Sequence, residues 1–284
     1  MLGDAMIKIV TDSTANLSDE MLAQYDIRKV PISIQFDRES YEEDVDIDRD
    51  LFYRKIEEMG IVPTTSQPAT GRYTEVYQDL AAAGHQILSI HITSKHSGTY
   101  QSAILARELV PDAQVEVFDS ASISLGTAYM VLEAARAVEN GWSLDQILAR
   151  LRQMRDRMRL FLTPSTLKYL QMSGRVGRLQ TALASVLQLK PVIKLEDGAL
   201  AACENVRTRA RALNRLVELL IEEVGQRDPV NVAVVHARAP EEGRGVLEQL
   251  EKVLNCRETL FAELVASLAV HGGPGVVAAI AYKV

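Results

Sequence analysis

Residues 86–110 read Gln86-Ile-Leu-Ser-Ile-His-Ile-Thr93, Ser94-Lys-His-Ser-Gly-Thr-Tyr100, Gln101-Ser-Ala-Ile-Leu-Ala-Arg-Glu-Leu-Val110. The first piece is a short apolar run of the kind that forms a buried strand, and the third carries apolar residues at helical spacing. Between them Ser97 stands as N-cap for a helix over Gly98 to Leu109. A strand that passes into a helix through one polar turn is half of a βαβ unit, so this stretch argues for a parallel sheet covered by helices.

The same grammar extends in both directions. Ile7 to Thr11, Val30 to Phe36 and Val115 to Phe118 read as strands. Helices are expected from Ser18 to about Tyr25, after the Asp48 cap to Met59 with Gly60 as the stop, from a Thr70 cap to about Ala83, and near 126–139 and 143–156. The acidic stretch Asp37 to Asp50 reads as a surface loop. Beyond about residue 160 the pattern changes. Strand Leu160 to Leu162, a short helix, a Gly-rich turn and an Ala/Leu helix from Thr181 to Leu189 precede a hairpin closed by Asp197-Gly198. A helix from about Thr208 to Val224, strand Val230 to Val235, helix Glu241 to Leu254 and strands near 258–263 and 276–282 follow. The expected architecture is α/β: an N-terminal three-layer domain with a parallel sheet over residues 1–160 and a C-terminal α+β domain over 161–284.

Composition sets the class. A chain of 284 residues with 47% hydrophobic and 24% charged content has room for two packed cores and is not disordered. No apolar stretch is long enough to span a membrane, and Met1 to Val10, with Asp4 and Lys8, lacks the apolar core of a secretory signal. Two cysteines, Cys203 and Cys256, build no disulfide framework and match no zinc spacing, so a cytoplasmic setting is expected. The net charge of −7 is uneven. Residues 150–215 hold 14 Lys and Arg against Asp156, Glu196, Asp197 and Glu204, a surplus of +10 that leaves −17 elsewhere. That segment suits an anionic partner or a set of solvated helix faces.

Polar turns marked by Gly or Pro follow the expected strands, where open α/β sheets place ligands. Pro63-Thr-Thr-Ser-Gln-Pro68 concentrates hydroxyls between two prolines, and reads as a ligand loop or a rigid turn. The Ser97-Gly98 turn offers a helix N-terminus to an anion, or is a plain cap; Ser94 is the alternative contact. His271-Gly-Gly-Pro-Gly275 sets one imidazole in a tightly specified backbone. Asp12-Ser13-Thr14 and Asp119-Ser120 frame the same sheet edge, or serve as caps. His91 and His96 have no third ligand, so no metal is expected. Within Lys168-Tyr-Leu-Gln-Met-Ser-Gly-Arg-Val-Gly-Arg178, Arg175 can meet a phosphate through its planar fork or lie in a surface turn.

Taken in order, Val10-Thr-Asp-Ser-Thr-Ala15, Thr64-Thr-Ser-Gln-Pro68, Ser97-Gly-Thr-Tyr-Gln-Ser102, Ser173-Gly-Arg-Val-Gly177, Lys190-Pro-Val-Ile193, Val206-Arg-Thr208 and His271-Gly-Gly-Pro-Gly275 span nearly the whole chain. This ordered set resembles the DegV family of bacterial fatty-acid-binding proteins, which includes the lipid-carrying subunits of fatty acid kinase. The resemblance implies a long-chain fatty acid held in a tunnel between the domains, its carboxylate bound by Thr65, Ser97, the Gly98 N–H and His271. It implies Arg175 serving a phosphate brought by a separate ATP-dependent fatty acid kinase subunit, which would yield acyl-phosphate for phospholipid synthesis. No catalytic residue, metal or cofactor is expected in this chain, no nucleic acid and no transmembrane segment, and contact with a membrane surface would be transient. Two departures stand out: His96 replaces a small or apolar residue, and Ala69 replaces a frequent Ser. A sixteen-carbon tail contributes about 0.8 kcal/mol per buried methylene, roughly 12 kcal/mol in all, so apolar walls are needed; residues 181–189 and 276–281 are candidates. The rival reading is a hydrolase or acyltransferase with Ser97 as nucleophile and His271 as base. It lacks a Gly-x-Ser-x-Gly elbow and an evident third triad member. A nucleic-acid module on 150–215 is the other rival.

Overall fold

The computed structural model describes residues 6–176 and 189–284, and its chain packing divides into two units, Met1–Arg155 and Asp156–Val284. The division falls near the C-terminal end of one helix, five residues before the expected boundary at 160.

In the first unit the chain forms β1 (Ile7–Asp12), α1 (Asp19–Gln24), β2 (Arg28–Val30), β3 (Ser33–Phe36), β4 (Glu39–Glu42), α2 (Arg49–Met59), β5 (Thr64–Ser66) and α3 (Thr70–Ala82). It continues through β6 (Gln86–His91), α4 (Thr99–Glu108), β7 (Val115–Asp119), α5 (Leu125–Glu139) and α6 (Leu144–Arg157). Strands β2-β1-β6-β7 make a parallel sheet, as residues 86–110 require. Val10, Val30, Ile87 and Val117 pack on one face against Tyr73, Tyr77 and Leu80 of α3 and Ala103 and Ala106 of α4. Alternation sends Ile9, Leu88 and Ile90 to the other face, where α5 lies against β1 and β6.

Three expectations are corrected here. Val30 to Phe36 is not one strand, because Pro31 has no N–H for the ladder and the Ile32 N–H turns instead to Ser13 Oγ at 3.0 Å. The chain leaves the parallel sheet there, and β3 joins a separate antiparallel sheet, β4-β3-β5. The acidic stretch after Phe36 is therefore not all loop: Asp37 at φ +52° turns the chain into β4, an edge strand that tolerates its charges. The Thr-Thr-Ser stretch is likewise a strand, β5, paired with β3. Helix ends also shift by one residue: Ala69, not Thr70, occupies the cap position of α3 and makes no side-chain cap. Ser18 and Asp48 cap as expected, accepting from Met21 and Leu51 N–H groups.

The second unit contains β8 (Arg159–Thr163), α7 (Lys168–Met172), β9 (Lys190–Glu196), β10 (Ala199–Val206), α8 (Arg209–Val224), β11 (Pro229–His236), α9 (Pro240–Val253), β12 (Asn255–Glu263), α10 (Ala266–Gly272) and β13 (Val277–Lys283). Its sheet runs β10-β9-β8-β13-β11-β12, antiparallel except for β11 with β12. Asp197 and Gly198, both at positive φ, close the β9-β10 hairpin as its Asp-Gly pair predicts. Leu216, Val217 and Leu220 of α8 and Val246 and Leu250 of α9 pack on Val232 and Val234 of β11 and Val277 and Ala279 of β13. Because β13 is a central strand, only alternate residues of 276–281 could face a ligand. The apolar helix expected over 181–189 lies, but for its last residue, outside the described residues. No helix of the described residues is long and apolar enough to cross a membrane.

Asp12 has no exposed surface, and its Oδ2 faces His91 Nδ1 at 2.9 Å and accepts the Ile92 N–H at 3.3 Å. Its Oδ1 accepts the Thr14 N–H at 3.1 Å and also the Thr14 hydroxyl. Asp12→Ala removes the acceptor for these buried groups and is expected to cost about 3–5 kcal/mol, measurable as a lower urea midpoint at unchanged slope.

Candidate functional site

Because the strands of the first sheet are parallel, the segments after β1, β6 and β7 emerge at one edge. They are bonded to one another there. Ser120 N–H donates to His91 O at 3.0 Å, Thr93 N–H donates to Ser122 O at 2.9 Å, and Ser124 Oγ donates to Asn16 Oδ1 at 3.3 Å. Asp119 accepts from the Ala121 N–H at 2.8 Å and the Ser94 N–H at 3.2 Å. Asp12-Ser13-Thr14 and Asp119-Ser120 thus work as framework, and Ser94 is exposed with its amide already engaged. His91 is buried between Asp12 and Ser89, with Nε2 at 2.7 Å from Ser89 Oγ, which also accepts the Tyr77 hydroxyl at 2.7 Å. No group of three or more potential metal ligands occurs among the described residues.

On this frame sits the Ser97 turn. Helix α4 begins at Thr99, so Gly98 holds the cap position, one residue later than the sequence suggests, and Ser97 precedes it. Ser97 Oγ lies 2.8 Å from Thr99 Oγ1 and accepts the Thr99 N–H at 3.3 Å. The first-turn N–H groups of α4 present a partial positive charge. Strand β5 arrives from the other sheet. Thr65 pairs with Ile34, which has no exposed surface, so Thr65 projects from the inner face of its sheet while Thr64 and Ser66 flank Gln35 on the outer face. Of the three hydroxyls in that segment, Thr65 alone is turned inward. The two segments meet through Gln67, the amide of the Pro63–Pro68 stretch: a Cβ on Gly98 would stand 2.7 Å from its side-chain amide. Gln67 thus packs against Gly98 at the start of α4, next to Ser97 in the same turn.

His271 and Arg175 belong to the second unit. His271 is in the last turn of α10, not in a loop, because the apolar run Leu264 to Val270 continues as helix until Gly273 ends it at φ +75°. Arg175 closes α7. The Arg175 N–H donates to Leu170 O at 3.0 Å and the Gly174 N–H to Gln171 O at 3.1 Å, a Schellman ending that needs Gly174 at φ +71°. The Arg175 guanidinium folds back onto Ser173 O at 2.6 Å. The two helices touch: a Cβ on Gly273 would collide with the Tyr169 ring of α7, and one on Gly275 would collide with Ser165 Oγ. Tyr169 and Ser165 carry no motif signal of their own; the paired glycines were the available clue.

Part of the basic segment is paired with carboxylates, most of them from outside residues 150–215. Arg150 pairs with Glu133 at 2.6 Å, Arg159 with Glu223 at 3.0 Å, Arg209 with Glu242 at 2.6 Å, and Arg215 with Glu204 at 2.8 Å and Glu222 at 2.8 Å. The Arg215 guanidinium holds the Glu204 carboxyl below the usual carboxylate range. Arg155 lies over the Phe118 ring at 5.3 Å. Arg152, Arg157, Arg207 and Arg211 are exposed, and Arg178 lies outside the described residues.

The glycine contacts separate two kinds of substitution. Gly98→Ala meets only the end of a flexible glutamine and is expected to cost less than about 1 kcal/mol while displacing Gln67. Gly273→Ala meets a packed ring at positive φ and is expected to cost about 3 kcal/mol or more. Equilibrium denaturation of the two variants side by side measures the difference.

Comparison with known proteins agrees with this layout. A family model described as "Uncharacterised protein, DegV family" matches residues 6–284. Protein DegV of Bacillus subtilis is 33% identical over 270 residues, covering 95% of this chain and 96% of that protein. A solved DegV family protein from Thermus thermophilus, described for its fatty acid binding, superposes with a TM-score of 0.93 at 31% identity, covering 98% of this chain and 100% of that one. A stearic-acid-binding protein from Eubacterium ventriosum superposes at 0.91 with 30% identity, covering 98% of each. By sequence and by fold, this chain belongs to the DegV family.

Proposed function

We propose that this protein binds one long-chain fatty acid and presents its carboxylate to a separate ATP-dependent fatty acid kinase, which returns an acyl-phosphate. The observation that carries the reading is the packing of Gln67 against Gly98, which brings the segment that follows Thr65 to the start of α4. The two solved relatives above, described as fatty-acid binders at 30–31% identity, supply the ligand class. In this reading Thr65, Ser97 and the Gly98 N–H hold the carboxylate together with His271, and Arg175 meets the phosphate. Hydroxyls, an N–H and one imidazole bind a carboxylate without covering it with a fixed cation, so one oxygen stays open to phosphorylation. The tail occupies an apolar tunnel, and the chain itself has no catalytic residue and no resident cofactor. A cytoplasmic setting suits such a carrier.

The hydrolase reading gains nothing from the site. Ser97 Oγ is engaged by the hydroxyl and amide of Thr99, an arrangement that orders a turn rather than activating a nucleophile. Nor do the carboxylate-paired arginines of 150–215 favour a nucleic-acid surface.

Solvent extraction and mass spectrometry of the purified protein should recover a long-chain fatty acid; protein that is empty and also fails to bind added palmitate would overturn the reading. Thr65→Ala and Ser97→Ala should each weaken palmitate binding about 10- to 100-fold, the worth of one hydrogen bond to a charged group. Arg175→Ala should keep the lipid and lose phosphorylation by the kinase. Equal loss of binding in all three would refute this division of roles.

A further inference from the structure

Arg209 opens α8, where the helix dipole disfavours a cation, so helix stability does not explain it. Its guanidinium instead spans three chain segments. Nη2 donates to Gly275 O at 2.6 Å and Nη1 donates to Thr163 O at 3.0 Å. The outer edge is held by Glu242, in the first turn of α9, through Nη2 at 2.6 Å and Nε at 3.1 Å. Glu242 suits that place, since an acid is favoured at a helix N-terminus. Ser165 Oγ reaches the same Gly275 carbonyl at 3.3 Å, and Lys190 Nζ donates to Ser165 O at 3.1 Å. The Gly275 N–H is fixed from the other side by Ala237 O at 2.6 Å.

The turn held in this way is the one that follows His271. Gly273 and Gly275 both stand at positive φ, so the backbone between α10 and β13 takes a conformation that side-chain-bearing residues rarely adopt. We infer that Arg209 is a positioning residue: by tying Gly275 O and Thr163 O to the first turns of α8 and α9, it sets the end of α10 and hence the direction in which His271 meets the ligand head group. A surface arginine serving only as a docking charge would not be consumed by two carbonyls and a carboxylate. Lysine could not replace it, because one ammonium cannot present the planar fork that reaches all three acceptors at once.

The inference rests on the fatty-acid reading of the head-group site, and the experiment separates the two. The measured quantity is the ratio of affinities for palmitic acid and hexadecanol, which share a tail and differ in the group that His271 would meet. It is determined for wild type, His271→Ala, Arg209→Met, Arg209→Lys and Glu242→Gln, with thermal melts of each. The expected result is a wild-type preference for the acid that falls about tenfold or more in His271→Ala and Arg209→Met and by less in Arg209→Lys and Glu242→Gln, with hexadecanol affinity moving less than palmitate affinity. A purely structural loss would weaken both ligands alike and leave the ratio at its wild-type value; that result in folded Arg209 variants overturns the inference. Failure of both Arg209→Met and Arg209→Lys to fold would overturn it as well, since the residue would then serve the fold and not the head group. If wild type itself shows no preference for the acid, the carboxylate reading fails first and this inference fails with it.

Discussion

A carboxylate without contact with water must find every donor inside the protein, and at Asp12 that requirement organises the first unit. Its two oxygens collect His91, the Ile92 amide and the amide and hydroxyl of Thr14. Those groups come from the ends of two adjacent parallel strands, so the charge determines where β1 and β6 stop. The imidazole passes the constraint onward to Ser89 and Tyr77 beneath α3. With β6 ended at His91, the polar turn before α4 begins at a defined height above the sheet, and Ser97 and Gly98 stand where Gln67 can reach them. A loop rich in hydroxyls becomes a site only when its roots are immobile, and here the roots include a buried, fully hydrogen-bonded carboxyl group.

The second unit reaches the same end with backbone instead of charge. Gly273 lets α10 close on the Tyr169 ring and Gly275 lets the following turn close on Ser165, approaches that any side chain would block. Helix α10 carries His271 and helix α7 carries Arg175, so two residues nearly one hundred positions apart in sequence share a common support. The Schellman ending of α7 then directs Arg175 back over its own carbonyls.

Much of this was legible in the chain. The apolar runs of β1, β6, β7, β8 and β11, the Ser18 and Asp48 caps and the Asp197-Gly198 hairpin follow from local rules and appear where those rules put them. The failures have physical causes. Strand β4 is an acidic edge, which looks like a loop because half of its groups face water. Strand β5 is three polar residues held by pairing with β3, a partner that no local pattern names. Pro31 splits a run that hydrophobicity alone would leave whole. Of the site residues, Ser97, Gly98, His271 and Arg175 stood out by type and by neighbouring glycine, and Thr65 and Gln67 lay in a loop marked by two prolines where the resemblance picked out Thr65, whereas Tyr169 and Ser165 are visible only as the groups that fill the space glycine leaves.

The sequence by itself determined the class of fold, the order of the strands along the chain, the family and the polar residues at the strand ends, because periodicity, caps and turn chemistry are local and act within a few residues. What only the tertiary structure decided is which way each of several similar residues points and what it pairs with. Thr64, Thr65 and Ser66 are interchangeable as a string, and register against Ile34 alone turns Thr65 inward. Arg207, Arg209 and Arg211 look alike, yet Arg209 is spent on Glu242 and two carbonyls while its neighbours are exposed. The basic surplus of 150–215 is a fact of the sequence, and the pairing of Arg150, Arg159, Arg209 and Arg215 with Glu133, Glu223, Glu242, Glu204 and Glu222 is a fact of packing. Charge and hydroxyl count belong to the chain; direction and partner belong to the fold, because they depend on contacts between residues far apart in sequence.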